Sequence, residues 1–154
     1  MNIKQIHASE AIHIIPLFDQ YRVFYKQPSD IALAQQFIES RLNHNESVIF
    51  GAFVESDGAQ NAIGFTQLYP KYSSMRATKN WILNDLFVDP AYRKKGTGAA
   101  LIAQAMDFAR GNGATFVQLE TATDNFAAQR LYEKIGFEKQ LPDEAFLVYR
   151  IQLI

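Results

Sequence analysis

Residues 93–98, which read Arg-Lys-Lys-Gly-Thr-Gly, form a glycine-rich segment that could bind an anion. A mostly apolar run of strand length precedes the segment, and an Ala/Leu-rich stretch with helical spacing follows it. The first N–H groups of a helix lack partners within the helix and lie at its positive end, so they can receive a phosphate or pyrophosphate. Gly96 and Gly98 leave room for the anion, and the basic triplet adds positive charge. The structural alternative is a tight turn with a solvated basic surface.

The segment departs from two common nucleotide-binding motifs. A phosphate loop needs Gly-x-x-x-x-Gly-Lys-Ser/Thr, whereas Gly98 is followed by Ala-Ala-Leu. The dinucleotide fingerprint has a third glycine or alanine at the position of Leu101, and here the turn also lies far along the chain, after a predicted hairpin. The segment therefore favours the pyrophosphate of a different carrier.

The elements around this segment form a strand–helix–strand unit. Residues 81–88 are predicted to be a strand, the helix after the turn ends near Gly113, and residues 115–121 are predicted to be the next strand. Because the joints are short, the crossover should be right-handed and the two strands should be parallel.

The remaining elements place this unit in one mixed sheet. Residues 1–154 are predicted to form a single α/β domain, whose mixed, mostly antiparallel sheet has about six to seven strands flanked by about four helices. The other predicted elements are a short strand at residues 3–7, a helix from Ser9 interrupted at Pro16, a helix that starts after Asp30 and ends near residues 43–45, antiparallel strands at residues 47–55 and 62–69, a polar connection at residues 71–78, a helix from Asp124 or Asn125 to Gly136, and a closing hairpin of residues 137–140 and 145–153.

Composition and charge exclude several classes of function. The chain has 154 residues, which suits one domain, and a formal net charge of −1, which argues against a dedicated nucleic-acid-binding protein. It has no cysteine for a disulfide, a thiolate metal site or a nucleophile, and its three histidines lack metal-ligand spacing. No apolar run approaches the roughly 20 residues of a membrane span, and the N-terminus lacks a secretion signal. A cytoplasmic protein is therefore expected.

Two motifs in the C-terminal half carry a resemblance to a known superfamily. Residues 93–98, after a strand ending Phe-Val-Asp-Pro, resemble the coenzyme A signature Arg-x-x-Gly-x-Gly of the GNAT N-acetyltransferases. Residues 125–137 are similar to that superfamily's Asn-x-x-Ala-x-x-Leu-Tyr-x-x-x-Gly-Phe motif. The N-terminal half resembles it only in its order of elements. The resemblance implies the GNAT fold, with the parallel strands splayed at the coenzyme A site, and direct transfer of an acetyl group from acetyl-CoA to a primary amine without a covalent enzyme intermediate or a metal.

The resemblance also implies how coenzyme A is held. The pantetheine arm would pair with the strand backbone like an added strand, Asn125 would bond to it, and Ala128 would keep the helix close. The pyrophosphate would lie in the glycine-rich segment, where Arg93 would either set the turn or pair with phosphate. The implied cofactor-binding residues are Leu86, Phe87, Val88, Arg93, Lys94, Lys95, Gly96, Thr97, Gly98, Ala99, Asn125, Ala128 and Tyr132.

Two residues are the implied catalytic groups. Tyr132 would point at the thioester sulfur and protonate the departing thiolate, the alternative being a tyrosine that packs in the core. Asp85 would anchor the amine or, through water, act as its base, the alternative being a carboxylate that caps a loop. Glu120, on the adjacent strand, is the reserve candidate for the base.

The strand segment Leu-x-Asp-x-Phe-Val at residues 83–88 is nearest in motif to the polyamine and small-amine members of the superfamily. Those members usually carry glutamate where this chain has Asn84, which weakens a polyamine assignment. Arg22 would also repel a polycation, and it would suit an acceptor that carries a carboxylate.

The acceptor is predicted to bind among aromatic residues of the N-terminal helices and the connection near residue 70. Such side chains could pack along an amine or hold its charge, or they could be core. A small-molecule or peptide amine is the expected partner, with no nucleic acid and no membrane, and the family analogy allows a homodimer. The alternatives are a non-catalytic acyl-CoA-binding or regulatory module and, less favoured, a nucleotide-binding module. The substrate-binding residues named on these grounds are Asn84, Asp85, Tyr21, Tyr25 and Tyr69, with Arg22 and Tyr72 beside them.

Overall fold

The computed structural model of the protein describes residues 1–154. Contacts within the chain divide these residues into two compact units, residues 1–120 and residues 121–154. The first unit contains a five-stranded sheet whose strands follow chain order. The pairs formed among the first four strands are antiparallel, and the fifth strand is parallel to the fourth. The strands are β1 (Asn2–Ile6), β2 (Val48–Ser56), β3 (Ala59–Ser73), β4 (Thr78–Val88) and β5 (Val117–Gln118).

The α-helices of the first unit begin where the sequence supplies start signals. Pro16 lies in the first turn of the first α-helix, where the N–H that proline lacks would have no helical partner, and a separate short 3₁₀ helix precedes it. Asp30 caps the second helix, since its Oδ1 accepts a hydrogen bond from the Leu33 N–H at 3.0 Å. The predicted break at Pro16 and start at Asp30 are confirmed. The helices are α1 (Ile15–Phe24), α2 (Ile31–Asn43) and α3 (Thr97–Gly111).

Buried side chains join the sheet to helices on both of its faces. On one face, Phe18 of α1, Ile38 of α2 and Phe65 of β3 belong to one buried cluster. On the other face, the ring of Trp81 in β4 meets that of Phe108 in α3 with their centroids 5.1 Å apart. Full burial of such a side chain contributes about 1.5–3 kcal/mol relative to exposure. β4 is therefore fixed between two helical layers.

The fifth strand is shorter than the predicted strand at residues 115–121. The buried Asn80 Oδ1 of β4 accepts hydrogen bonds from the Thr115 N–H at 2.7 Å and from the Phe116 N–H at 3.1 Å. Because these amides bond to a side chain, they do not join the ladder of main-chain hydrogen bonds. Parallel pairing is consequently limited to the two residues of β5.

The connection predicted at residues 71–78 is mostly strand. β3 and β4 stay paired as far as Ser73 and Thr78, so only a turn at residues 74–77 remains. The Lys79 Nζ lies 5.6 Å from the ring centroid of Tyr72, its partner on the opposite strand. Such cross-strand pairs stabilise a hairpin. The polarity that indicated a loop is equally typical of the solvated face of an antiparallel sheet.

The second unit contains one helix, α4 (Phe126–Ile135). Its start at Asn125 and its end at Gly136, which has φ of 119°, agree with the prediction. The closing hairpin predicted after α4 is wrong, because no strand is assigned in residues 137–154. Two strands alone are marginally stable without a third strand or a helix to pack against. The apolar residues of the segment supply neither.

The predicted fold class is confirmed, with fewer strands. The chain is α/β, the sheet is mixed and mostly antiparallel, one strand pair is parallel, and the α-helices number four. The sheet has five strands, fewer than predicted, because the C-terminal hairpin is absent. None of the helices combines the length and the apolar character that a membrane crossing requires.

Candidate active site

Asn84 forms a bulge in the middle of β4. Gln67 of β3 pairs with Asp85, whereas the next residue, Leu68, pairs with Leu83. Asn84 is therefore an extra residue with no partner on β3. Such an insertion disrupts the ladder locally and redirects the side chains beyond it.

The bulge decides which face of the sheet Asp85 occupies. In an unbroken strand, Trp81, Asp85 and Phe87 would share one face. Here Trp81 packs on Phe108 of α3, whereas Phe87 belongs to the cluster with α1 and α2. Asp85 lies on the same face of the sheet as Phe87, where it is hydrogen-bonded to the hydroxyl of Tyr21 in α1.

Three neutral side chains donate hydrogen bonds to the Asp85 carboxyl, which is 3% exposed. Gln67 Nε2 donates to Oδ2, Asn84 Nδ2 donates to Oδ1 at 2.8 Å, and the Tyr21 hydroxyl supplies the third bond. Gln67 is itself held by Ser47, whose hydroxyl donates to Gln67 Oε1 at 2.7 Å. The carboxyl is thus fixed by a hydrogen-bonded chain that reaches from the start of β2 to β4.

Burial raises the pKa of the Asp85 carboxyl above its ordinary value, against the opposing hydrogen bonds from Gln67, Asn84 and Tyr21. Burial, and then the Asp85 charge, raises the pKa of Tyr69 to about 12 and likewise raises the pKa of Tyr21. Both phenols therefore remain protonated at neutral pH and act as hydrogen-bond donors. A carboxyl with a raised pKa is a better proton acceptor than an ordinary aspartate.

Asp85 lies at the wall of a cavity of about 310 Å³. Most of the wall is aromatic or aliphatic, so an ammonium group that entered would find its polar partners only at a few positions. Predicted acceptor-site residues from three different elements meet here. The lining residues are Phe18, Tyr21, Arg22, Leu33, Phe37, Tyr69, Asn84 and Asp85.

Three residues named from the sequence do not line the cavity. Tyr25 is 47% exposed and its ring packs against that of Tyr21, with centroids 5.0 Å apart. Tyr72 is 69% exposed on the β3–β4 hairpin. Glu120, the reserve base, is exposed. Asp85 is accordingly the carboxylate that faces the cavity.

Sequence reasoning missed several residues of this site. Phe18, Leu33 and Phe37 are ordinary apolar residues of α1 and α2, and their types alone do not distinguish a cavity wall from the core. The sequence does carry a signal for Gln67, which is a lone amide within an apolar strand, but the prediction did not include it. Such a buried amide needs hydrogen-bond partners. Ser47 offered no comparable signal, since it stands at the edge of a strand.

Arg22 brings a positive charge to the cavity wall. Its guanidinium donates to the Pro28 carbonyl at 3.3 Å and lies 3.7 Å from the Asp19 carboxylate. Asp19 also accepts hydrogen bonds from the Ser29 hydroxyl at 2.6 Å and the Asp30 N–H at 2.8 Å, and these bonds lower its pKa. Asp19 therefore stays ionised, offsets part of the Arg22 charge and ties the loop between α1 and α2 to this wall.

The glycine-rich segment forms an open turn at the start of α3. Gly96 has φ of 84°, and a Cβ built there would meet nothing within 4 Å. Glycine is therefore favoured by the backbone angle rather than by a lack of space. The N–H groups of Thr97, Gly98 and Ala99 begin a helix of 15 residues, so no helical carbonyl reaches them. This open helix start fits a pyrophosphate.

Arg93 makes the contact that sets this turn. Its Nε donates to the Val88 carbonyl at 2.8 Å, and its guanidinium carbon lies 5.4 Å from the ring centroid of Phe87. Lys94 and Lys95 are exposed beside the start of α3. The contact with the Val88 carbonyl is of the kind that the turn-setting role of Arg93 requires.

The edge of β4 that faces away from β3 is unpaired over its second half. Parallel pairing with β5 ends at Ile82 and Gln118, whereas β4 continues to Val88. This arrangement matches the divergence expected of the parallel pair. It leaves main-chain groups of β4 without a strand partner on that edge.

Main-chain alternation identifies the groups on this edge. The Asp89 N–H donates to the Ile63 carbonyl of β3 at 2.8 Å. Because successive residues of a strand point their N–H and C=O groups to opposite edges, those of Phe87 face β3. Those of Leu86 and Val88 face the other edge, where an amide of a ligand could pair with them.

The second unit carries the other motif on one helix. Asn125 Oδ1 accepts a hydrogen bond from the Ala128 N–H at 3.2 Å and caps α4. The Tyr132 ring packs edge-to-face on Phe137, with centroids 5.9 Å apart. Asn125, Ala128 and Tyr132 recur at spacings of three and four residues, which places them along one side of the helix.

Comparison with known proteins identifies the family. A model of the acetyltransferase (GNAT) family matches residues 14–137. YhfO of Bacillus subtilis, described as an uncharacterized N-acetyltransferase, is 47% identical over 149 residues, which cover 97% of this chain and 95% of that protein. The crystal structure of a probable acetyltransferase is 35% identical, with a TM-score of 0.86 over 99% of this chain and 98% of that chain. An aminoglycoside N-acetyltransferase in complex with CoA shares the fold at 21% identity, with a TM-score of 0.78 and coverage of 98% and 94%. The chain therefore belongs to the acetyltransferase (GNAT) family and is an acetyl-CoA-dependent acetyltransferase.

Proposed function

We propose that this enzyme transfers the acetyl group of acetyl-CoA directly to a primary amine bound in the cavity, with Asp85 receiving the proton of the amine. The observation that carries the proposal is the buried Asp85 carboxyl, with its raised pKa, at the wall of an otherwise largely apolar cavity. A primary amine is protonated at neutral pH, with a pKa of about 10 for an alkylamine such as lysine. It must lose a proton before its lone pair can attack.

The residues around Asp85 support its proposed role as the proton acceptor. An ammonium group at the cavity wall would pair with the carboxylate and transfer its proton directly or through one water. The amine nitrogen then forms a C–N bond to the acetyl carbon as the C–S bond of the thioester breaks. Tyr21 and Asn84 hold the carboxyl by hydrogen bonds, so its orientation is set before the amine arrives.

The donor site is proposed at the second half of β4 and the start of α3. Leu86 and Val88 would pair through their main-chain groups with the amides of pantetheine. Phe87, whose main-chain groups face β3 and whose side chain is buried, would instead keep this part of β4 in place. The pyrophosphate would lie at the helix start, with Lys94 and Lys95 beside it. The related aminoglycoside acetyltransferase was solved with CoA, which supports CoA as the ligand of this fold. The further groups proposed here are Arg93, Gly96, Thr97, Gly98, Ala99, Asn125 and Ala128.

Tyr132 is the proposed general acid. A phenol holds its proton at neutral pH and can give it to a thiolate as the C–S bond breaks. The chain has no cysteine, so transfer through a cysteinyl intermediate does not compete with direct attack. Two protons leave the nitrogen between the ammonium and the amide. Asp85 takes the first and passes it to solvent, and the second, released once the C–N bond has formed, replaces the proton that Tyr132 gives to the thiolate.

The cavity favours a small monoamine within the polyamine and small-amine subgroup. Phe18, Phe37 and Leu33 offer apolar walls for the body of the acceptor. Arg22 lies in the same wall and would repel the second charge of a polyamine. Asn84 stands where polyamine-type members usually have glutamate, and this neutral residue likewise favours an acceptor with one positive charge.

A free-thiol release assay tests the proposal over a panel of monoamines, polyamines, aminoglycosides, amino acids and peptides. Asp85→Asn should lower kcat/KM for the best amine by about 10²–10⁴-fold and remove the acidic limb of its pH profile. Asp107→Asn, at an exposed position on α3, is the matched control and should change neither. If Asp85→Asn leaves both the amine KM and the pH profile unchanged, Asp85 is not the base. CoA binding without thiol release with any amine would favour a non-catalytic module.

A further inference from the structure

Gln67 and Ser47 lie behind Asp85 as seen from the cavity. Asp85, Tyr21 and Asn84 line the cavity, whereas Gln67 and Ser47 do not. Gln67 is fully buried and Ser47 is 8% exposed. An amine in the cavity can therefore contact the carboxyl without contacting the two residues that hold it from the other side.

We propose that Gln67, oriented by Ser47, is the positioning residue that holds the Asp85 carboxyl at the cavity wall in both its ionised and its protonated form. This inference rests on the proposed function, in which Asp85 gains and loses a proton in each turnover. Gln67, which lies outside the cavity, thereby sets the geometry and the proton affinity of the base.

The hydrogen-bonding capacity of an amide explains why glutamine suits this position. With Asp85 ionised, Gln67 Nε2 donates to its Oδ2 and the Ser47 hydroxyl donates to Gln67 Oε1, as observed. With Asp85 protonated, a half-turn of the amide lets the carboxyl O–H donate to Oε1 while Nε2 donates to Ser47 Oγ. In both forms the bonded carboxyl oxygen and the two polar groups of the Gln67 amide keep a partner, whereas a buried polar group left unpaired would be costly.

The other groups around Asp85 do not replace this contact. From α1, Tyr21 donates to the carboxyl, and Arg22 lies in the cavity wall with Asp19 as its partner. From β4, Asn84 donates to Oδ1. The residues that α2 contributes to the cavity are uncharged, and Tyr69 of β3 stays a neutral phenol at ordinary pH. Gln67 is thus the donor that the structure places on Oδ2.

Gln67→Leu removes that donor with little change in volume, and the expected effect has a definite sign. The hydrogen bond to the ionised carboxyl is charge-assisted and therefore stronger than the bond that the turned amide makes with the protonated carboxyl, so losing both should make the variant hold the Asp85 proton more tightly. The acidic limb of kcat/KM should move to higher pH by about one to two pH units. At a pH below the wild-type limb, kcat/KM should fall by about 10- to 100-fold and then recover towards wild type as the pH rises.

Thr66→Val is the matched control. Thr66 is buried on the same strand, and its hydroxyl donates to the main-chain carbonyl of Asp85 at 2.8 Å rather than to the carboxyl. The control should lose stability while its acidic limb stays in place. If Gln67 has only a structural role, Gln67→Leu should likewise lose stability and keep its acidic limb in place, with kcat/KM reduced equally at every pH.

Ser47→Ala tests the orienting contact. It should move the limb in the same direction as Gln67→Leu but by less, because the amide remains and only its orientation is loosened. In the Gln67→Leu background, Ser47→Ala should move the limb no further, since Ser47 acts through Gln67. Additive shifts would show that Ser47 acts by another route and would overturn this part of the inference.

A carbon-13 NMR titration of the Asp85 carboxyl gives a readout that does not depend on turnover. An apparent pKa raised in Gln67→Leu and unmoved in Thr66→Val supports the proposal, and one unmoved in Gln67→Leu overturns it. If Gln67→Leu does not fold, the titration of Ser47→Ala decides in the same way. An acidic limb that survives in Asp85→Asn would instead reject Asp85 as the base, and the NMR titration would still judge the Gln67 contact by itself.

Discussion

Asp85 is exposed to opposing influences on its charge. Withdrawal from water disfavours the carboxylate, while donors from β3, β4 and α1 favour it. Burial prevails, so the carboxyl is held ready to take up a proton that an exposed aspartate would release. Natural active sites often keep such groups at a cost in stability. That cost gives a measurable dependence on pH.

Asp85→Asn should stabilise the folded protein increasingly as the pH rises. In the unfolded chain an aspartate has a pKa of about 3.9, and the folded protein holds the Asp85 proton more tightly than the unfolded chain does. Protonation therefore favours the fold: this contribution is complete below the unfolded pKa and is lost as pH rises through the folded pKa. Asparagine does not ionise, so its contribution to the free energy of unfolding does not change with pH. Urea unfolding of both proteins between about pH 4 and 8 measures the difference in free energy of unfolding; a difference that stays constant would contradict the prediction.

Tyr132→Phe tests the proposed general acid at the same scale. The substitution keeps the ring that packs on Phe137 and removes only the hydroxyl. We expect turnover to fall by about 10²–10⁴-fold while the Kd for acetyl-CoA stays nearly unchanged. Tyr149→Phe, at an exposed tyrosine of the same unit, is the control and should leave turnover intact. Unchanged turnover in Tyr132→Phe would remove that residue from the mechanism.

β4 marks the limit of what local sequence patterns could predict. Apolar periodicity and glycine punctuation located the strand, the glycine-rich turn and α3. The bulge at Asn84 depends on how β4 pairs with β3, so no pattern within β4 indicated the face that Asp85 occupies. The Ser47–Gln67 hydrogen bond joins residues twenty positions apart, and it exists only once the β2–β3 register is set.

The same limit explains the errors at other elements. The pattern of residues 115–121 is that of a strand, but a side chain of a distant strand takes its first amides. The C-terminal segment is rich in strand-forming residues but lacks strand pairing. Tyr25 and Tyr69 look alike in sequence, yet only Tyr69 lines the cavity. Residue type and period predicted the elements, whereas pairing and packing decided which residues share the site.

Two glycines flank α3 and allow a matched test of the glycine-rich turn. Gly96 before the helix and Gly113 after it have φ of 84° and 77°, and a Cβ would meet nothing within 4 Å at either. Alanine should cost about 1–2 kcal/mol of stability at each position, because the left-handed conformation strains any L-residue. Only Gly96→Ala should raise the Kd for CoA, since its methyl group stands where the pyrophosphate is proposed to bind.

Urea unfolding and isothermal titration with CoA measure the two effects of these variants separately. Equal loss of CoA affinity in Gly96→Ala and Gly113→Ala would mean that helix stability, rather than anion contact, controls binding. Unchanged affinity in both would place the pyrophosphate elsewhere than the start of α3.

At the scale of the whole molecule, residues 1–154 are proposed to act as one domain, although they form two compact units. The only tryptophan, Trp81, reports on the first unit, and far-UV circular dichroism includes α4 of the second. The two signals should unfold in one coincident thermal transition. Saturating acetyl-CoA should raise its midpoint, because a ligand at about 100 times its Kd stabilises the folded state by about 2.7 kcal/mol.

ATP is the matched ligand control, since it carries an adenine nucleotide and phosphates but no pantetheine. At equal concentration it should raise the transition less than acetyl-CoA, because the main-chain groups of Leu86 and Val88 would gain no partner. Stabilisation by ATP alone would favour a nucleotide-binding module over the proposed donor site. Two separate transitions, with acetyl-CoA moving only the fluorescence signal, would show that residues 121–154 unfold independently and would reject the single-domain proposal.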